Sequence, residues 1–100
     1  MAYQLTIFPQ VVNDLEDAFY WYEEQSDGLG YEMEAEFYST LQYIQDAPLT
    51  IQIRYLFVRI AWLSRFPYGV HFYCEGNRIF VTALIHASKD PKVWTDRLKP

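Results

Sequence analysis

The sequence predicts a single α+β domain, with an N-terminal strand and a helical hairpin packed on an antiparallel β-sheet. In the first half, apolar residues recur every three or four positions, as on amphipathic helices. In the second half, aromatic and β-branched runs flank the dipeptide Gly76-Asn77, which is typical of a two-residue hairpin loop. A length of 100 residues suffices for one hydrophobic core, so we expect residues 1–100 to form one domain.

The first elements are a short strand and a helix. Residues 3–8 alternate weakly between apolar and polar, which predicts a strand, and Pro9 suits the first turn of a helix. An apolar stripe then predicts a helix that ends near Ser26. The stripe consists of Val11, Val12, Leu15, Ala18, Phe19 and Tyr22.

A second helix follows after a glycine-containing turn. Gly28 is placed to end the first helix in a left-handed conformation, and we expect Gly30 to relax the turn. The same spacing of apolar residues predicts a helix over residues 29–46, and Pro48 prevents its continuation. Its apolar positions are Met33, Phe37, Leu41 and Ile44.

The remaining strands form a meander after a weak strand near residues 51–54. The hairpin loop fixes a register in which Glu75 faces Arg78. The predicted core face pairs Cys74 with Ile79, Phe72 with Val81, and Val70 with Ala83. The opposite, mixed face pairs His71 with Thr82 and Tyr73 with Phe80, and also carries Leu84 and His86.

The preceding run, residues 57–66, also alternates. We expect its core side to be Val58, Ile60, Trp62, Ser64 and Phe66. A three-residue connection over 67–69 would pair Phe66 with Val70 and place Arg59 and Arg65 on the mixed face. A two-residue connection would instead bury Arg65 as an unpaired charge, at a high free-energy cost.

Charge is divided sharply between the two halves of the chain. Residues 1–50 contain ten acidic residues and no lysine or arginine, whereas residues 51–100 contain eight basic and three acidic residues. We therefore expect an electrically two-sided molecule whose sheet attracts anions.

Cysteine content and hydropathy restrict the compartment. The single cysteine, Cys74, excludes an internal disulfide and fits a reducing environment. The first ten residues lack the features of a secretory signal, and no apolar run reaches the length of a membrane span. These observations predict a cytoplasmic protein that does not enter a membrane.

Two stretches carry a family resemblance. The phrase RFPYGVHFY is followed by a hairpin, a strand ending in His86, then Lys-Asp-Pro and Trp94. The earlier stretch WYEEQSDGLGYEMEAEF contains a Gly-Leu-Gly turn between two helical patterns. Together these stretches resemble the RelE/ParE superfamily of toxins from toxin–antitoxin systems, over residues 15–97. Two positions depart from the family pattern: Ile60 stands where many members have arginine, and Lys89 replaces the arginine before Asp-Pro.

The resemblance implies a toxin of a type II toxin–antitoxin, or plasmid stabilisation, system that inhibits growth and is neutralised by a cognate antitoxin. ParE-like members inhibit DNA gyrase, whereas RelE-like members cut mRNA on the ribosome with several basic residues and an acid or base. The few basic residues here favour the ParE-like branch. A RelE-like endonuclease and an inactive antitoxin-binding module remain as alternatives. A homodimer and a heterotetramer with the antitoxin are both open.

The candidate site residues differ between these alternatives. If the chain is RelE-like, the resemblance implies a catalytic set of His86, Lys89 and Arg65. His86 would act as general acid or base, and Lys89 would stabilise the charge on phosphate. For binding the target or antitoxin, we expect contributions from Arg59, Arg65, His71 and Tyr73. The antitoxin segment would be acidic, to suit the basic sheet.

Each of these residues also has a purely structural interpretation. Arg59 and Arg65 could only keep the sheet edge soluble, and a histidine at a strand end is commonly structural. Asp90 and Pro91 are typical of a helix cap and a first-turn proline, with Trp94 docking a short final helix. No metal-ligand spacing and no phosphate-binding glycine loop occur, so we expect neither a metal nor a cofactor.

Overall fold

A computed structural model describes residues 2–99 and confirms the α+β class. The helices are α1 (Pro9–Gln25), α2 (Leu29–Asp46) and α3 (Lys92–Asp96), with a 3₁₀ turn at Pro48–Thr50. The strands are β1 (Gln4–Ile7), β2 (Ile53–Tyr55), β3 (Val58–Trp62), β4 (Tyr68–Glu75) and β5 (Arg78–His86).

The five strands form one sheet in the order β1-β5-β4-β3-β2. Strands β2, β3, β4 and β5 pair with one another in antiparallel order, and β1 pairs with β5 in parallel, so the sheet is mixed. Helices α1 and α2 cover one side, which we call the helical face, and the opposite side is the far face. The core between helices and sheet includes Val11, Leu15, Ala18, Met33, Phe37, Leu41, Ile44, Ala61, Val70, Phe72, Ile79 and Val81.

The helical hairpin begins and ends where the periodicity predicts. Gly28 adopts a positive φ of 88°, the left-handed conformation expected at the end of α1. The amides at the start of α2 find a partner in α1, because the Glu23 carboxylate accepts hydrogen bonds from the N–H groups of Gly28 (3.2 Å) and Gly30 (2.7 Å). Glu23 therefore fixes the angle at which α2 leaves the turn.

Gly30 has a different role from the one its sequence position predicts. It lies inside the first turn of α2, where a Cβ atom would stand 2.5 Å from the Phe19 carbonyl oxygen and 2.7 Å from Glu23 Cγ. The glycine is thus required for the close approach of the two helices, rather than for relaxing the turn.

A β-bulge changes the predicted pairing of β4 with β5. The pairs nearest the Gly76-Asn77 loop are as predicted, up to Phe72 with Val81. Beyond them Thr82 is an extra residue, so His71 pairs with Ala83 and Val70 with Leu84. The predicted pairs His71–Thr82 and Val70–Ala83 are therefore wrong. Because one inserted residue exchanges the two faces, Leu84 and His86 lie on the helical face.

The predicted faces of β3 are also exchanged. The strand ends at Trp62, which pairs with Gly69, and residues 63–67 form a longer connection than the predicted three-residue one. Ala61 and Leu63 consequently join the core beneath the helices. Trp62, predicted to be buried, is 42% exposed. The pairing of β3 with β4 is displaced from the predicted register by an odd number of residues, which places every β3 side chain on the face opposite to the predicted one.

We expect Gly30→Ala to lower the free energy of unfolding by about 3 kcal/mol, since the added methyl group overpacks the contact between α1 and α2. Chemical denaturation measures this change. Ser39→Ala on the exposed side of α2 is the matched control and should stay within about 0.5 kcal/mol of wild type. A Gly30→Ala protein that is as stable as wild type would contradict the close approach, because alanine is the better helix former.

Candidate functional site

Arg65 lies in the β3–β4 connection and is bound to α2 rather than placed on the sheet. Its Nε donates to Glu36 (3.1 Å), its Nη1 donates to Glu32 (3.1 Å), and its backbone N–H donates to Glu36 (2.7 Å). Hydrogen bonds to Glu32 and Glu36 raise the pKa of Arg65 above its ordinary value. The prediction that Arg65 joins the mixed sheet face is therefore wrong, and its charge is already compensated.

The contact with Arg65 contributes to a lowered pKa of Glu36. Partial burial alone would raise the pKa of Glu36. Hydrogen bonds from Arg65 and from the Ser64 hydroxyl (3.2 Å) outweigh it and hold that pKa below its ordinary value. Glu36 is thus an ionised anchor for the β3–β4 connection.

Arg59 also lies away from the predicted surface. It pairs with the core residue Phe72 and so points to the helical face. Its guanidinium donates to the carbonyl oxygens of Leu49 and Ile51, in the segment that links α2 to β2. The prediction that Arg59 shares the far face with Arg65 and His71 is wrong, because the β3 register differs.

His71 is on the far face, as predicted, but it is fully buried rather than exposed for binding. Its Nδ1 is hydrogen-bonded to the Tyr55 hydroxyl at 2.8 Å, and its ring meets that of Trp94 from α3 at 5.3 Å between centroids. Within residues 2–99, Nε2 of His71 has no hydrogen-bond partner. Burial first, and then the charge of Arg97, lowers the pKa of His71 to about 4, so the ring is neutral. Burial also raises the pKa of Tyr55 to about 12.

Tyr73 belongs to an aromatic row that crosses the far face near the hairpin loop. Its ring stacks on Phe80 at 5.1 Å and meets Phe57 edge-on at 5.1 Å. Phe80 in turn contacts Phe8, at 6.3 Å. Phe57 is 53% exposed, which leaves one end of the row accessible to a partner.

His86 and Lys89 are brought together at the carboxyl end of β5. Both line a cleft of about 430 Å³ whose other walls include Trp21 and Tyr68. The backbone N–H of Ser88 donates to His86 Nδ1 (3.0 Å), so the proton of the neutral ring is on Nε2. Nδ1 of His86 is thus engaged by Ser88, whose hydroxyl also lies 2.8 Å from it.

The three residues predicted for RNA cleavage therefore do not form one constellation. His86 and Lys89 share a cleft, whereas Arg65 is held by Glu32 and Glu36 and lines no part of it. Among residues 2–99, no three His, Cys, Asp or Glu side chains are placed to bind one metal ion. In the same range, no helix is both long and apolar enough to cross a membrane.

Sequence reasoning missed the contact that holds α3. Nη1 and Nη2 of Arg97 donate to the carboxylate of Asp14 on α1 (2.8 and 2.5 Å), and Asp14 also accepts the backbone N–H of Leu84 at 3.1 Å. The predicted docking of Trp94 is borne out by its contact with His71. The predicted roles of Asp90 and Pro91 are displaced by one residue, because Pro91 is itself the N-cap residue of α3. The Asp90 carboxylate accepts the Lys92 N–H at 2.9 Å from the position before the cap.

The backbone conformation of Leu56 is a second feature that the sequence does not predict. It adopts a φ of 49° at the turn between β2 and β3 and is 69% exposed. A branched apolar residue rarely occupies this left-handed conformation. With the neighbouring Ile53 and Phe57, it forms an apolar edge at the β2 end of the sheet.

Comparison with known proteins identifies the fold. No family model and no curated protein matches this chain. A chain of the solved structure "Chromosomal ParDE TA system from P. aeruginosa" superimposes with a TM-score of 0.78 at 15% sequence identity, covering 87% of this chain and 98% of that one. The protein therefore shares the fold of that chain, and at this identity the likeness concerns the fold alone.

We expect acid to destabilise the protein through His71. The ring has a folded-state pKa of about 4, below its ordinary value, so the unfolded state binds a proton first as the pH falls. The resulting stability is present above about pH 6.5 and decreases toward pH 4, by about 3 kcal/mol in total. Urea denaturation between these pH values measures the loss. His71→Gln is the control, because it cannot titrate; an equal pH dependence in both proteins would contradict the assignment.

Proposed function

We propose that this protein is the ParE-like toxin of a type II toxin–antitoxin system and is neutralised by a cognate antitoxin. The observation that carries the proposal is the superposition, over 87% of this chain, on a chain from a ParDE system. The motif stretches of the sequence support it independently, since they lie in the helical hairpin and in β4, β5 and α3.

The dispersed candidate residues favour the ParE-like branch over an mRNA endonuclease. Phosphoryl transfer from RNA needs a base, an acid and cations placed around one phosphate. Here Arg65 is neutralised by two carboxylates, and Arg59 points toward the helices and binds backbone carbonyls. His86 already accepts hydrogen bonds at Nδ1. These contacts support inhibition by binding over RNA cleavage, and the resemblance to ParE-like members implies DNA gyrase as the target.

The partners follow from this branch. On this proposal the partners are a cognate antitoxin and DNA gyrase, and the toxin and antitoxin act in the cytoplasm. The inactive binding module remains the second candidate, because the internal pairing of Arg65 and Arg97 reduces the cations available to any target.

We expect induction of this chain alone in a bacterial host to arrest growth, with DNA synthesis falling before protein synthesis. Pulse labelling of both pathways measures the order. The double variant His86→Gln/Lys89→Met should remain as toxic as wild type, because neither residue acts in catalysis on this proposal.

Other results would identify the alternatives. Ribosome-dependent mRNA cuts that disappear in the double variant would establish the endonuclease. Unimpaired growth in the presence of folded protein would establish the inactive module. Both outcomes contradict the ParE-like proposal.

A further inference from the structure

The outer side of the helical hairpin carries exposed tyrosines that are unusual for a solvated helix surface. Tyr20 on α1 and Tyr31 and Tyr38 on α2 are 62%, 64% and 55% exposed. The Phe19 ring lies between two of them, 5.3 Å from Tyr20 and 4.8 Å from Tyr31 between centroids. We call Tyr20, Tyr31 and Tyr38 the hairpin patch. Exposed aromatic side chains grouped in this way mark interaction surfaces.

Carboxylates alternate with these rings along the helices. Glu16 and Glu24 lie one helical turn before and after Tyr20, and Glu34 lies between Tyr31 and Tyr38. Within residues 2–99, none of these three glutamates forms an ion pair. Since α1 and α2 contain no lysine or arginine, the potential over the hairpin patch is negative.

The sheet side does not offer an equally strong positive surface. Arg65 is paired with Glu32 and Glu36, Arg97 with Asp14, and Arg59 with backbone carbonyls. The expected attraction of an acidic partner to the sheet is weakened accordingly. The exposed cations without an ion pair among residues 2–99, Arg54, Arg78, Lys89 and Lys92, are spread over β2, β5 and the C-terminal segment. The negative charge is instead grouped on the helical hairpin, next to exposed aromatic rings.

We propose that the hairpin patch binds a basic, amphipathic helical segment of a partner protein. The aliphatic stems of arginines or lysines would pack on the tyrosine rings. Some charged groups would lie over the rings as cation–π contacts, and others would pair with Glu16, Glu24 and Glu34. Arginines three and four residues apart on a partner helix match the one-turn spacing of Glu16, Tyr20 and Glu24. Nucleic acid is repelled by the same carboxylates.

This inference goes beyond the proposed function, because it holds whether or not the chain is toxic. A second copy of the chain is a poorer occupant than a basic helix, since Arg59, Arg65 and Arg97 are engaged within their own molecule. Its exposed cations Arg54, Arg78, Lys89 and Lys92 lie on different elements and not on one helix face. In a toxin–antitoxin pair, the basic segment would belong to the antitoxin.

The test is an NMR titration of the full chain with a synthetic helical peptide that carries arginines on one face and leucines beside them. We expect amide shifts concentrated at residues 16–24 and 31–38. A scrambled peptide of equal charge, without a basic face, should bind at least about tenfold more weakly. Shifts centred on the sheet, or equal binding of both peptides, would overturn the proposal.

Matched tyrosine variants distinguish binding at the hairpin patch from non-specific attraction of the peptide to the protein. Tyr20→Ala and Tyr31→Ala should each raise the peptide Kd about tenfold. Tyr43→Ala should leave it unchanged, because Tyr43 is 54% exposed but borders the groove between α2 and β3. Equal losses in all three variants would overturn the assignment.

Charge and self-association are tested in the same way. Glu16→Gln/Glu24→Gln should weaken binding more than Asp46→Asn/Glu75→Gln, which changes the net charge equally at distant exposed positions. Equal weakening by the two pairs would indicate non-specific attraction and overturn the proposal. Sedimentation of the free chain as a dimer that Tyr20→Ala dissociates would assign the patch to a second copy, and would also overturn it.

Discussion

The carboxylate of Asp14 is the interaction on which the arrangement of the other elements depends. Strand β1 covers the outer edge of β5 only as far as Val81, where the Phe8 N–H makes the last bond. Beyond that point the edge of β5 is unpaired, and an unsatisfied backbone amide there would be costly. Asp14 accepts the N–H of Leu84 and pairs with Arg97, so that one side chain joins α1, β5 and α3.

This junction explains why the far face differs from an open binding surface. With Arg97 held at the sheet edge, α3 carries Trp94 onto His71 and Tyr55, whose rings lie within 5.3 Å and 5.2 Å of it. The histidine is buried and neutral as a result. The accessible side chains on that side include Trp62 and the Phe57 end of the aromatic row, whereas the helical hairpin keeps its tyrosines exposed beside its carboxylates.

Much of the fold is predictable because its signals are local. Gly28 and the apolar periodicity give the bounds of both helices, and the Gly76-Asn77 loop gives the register near it. The bulge at Thr82 has no local signal, and strict alternation therefore predicts the wrong face for the β5 side chains beyond it. The ion pairs Arg65–Glu36 and Asp14–Arg97 join residues that are far apart in the sequence. Rules based on the spacing of neighbouring residues do not predict such contacts. The candidate site was therefore predicted less well than the fold.

Hydrogen exchange at the Leu84 amide, compared between wild type and Asp14→Ala, tests the central role of Asp14 most directly. The structure predicts slow exchange in the wild type. In the variant, it predicts faster exchange at Leu84, increased solvent access of Trp94 and a loss of about 3 kcal/mol in stability, because Arg97 loses its partner. If Asp14→Ala leaves both the hydrogen exchange of Leu84 and the solvent access of Trp94 unchanged, the central role of Asp14 is contradicted.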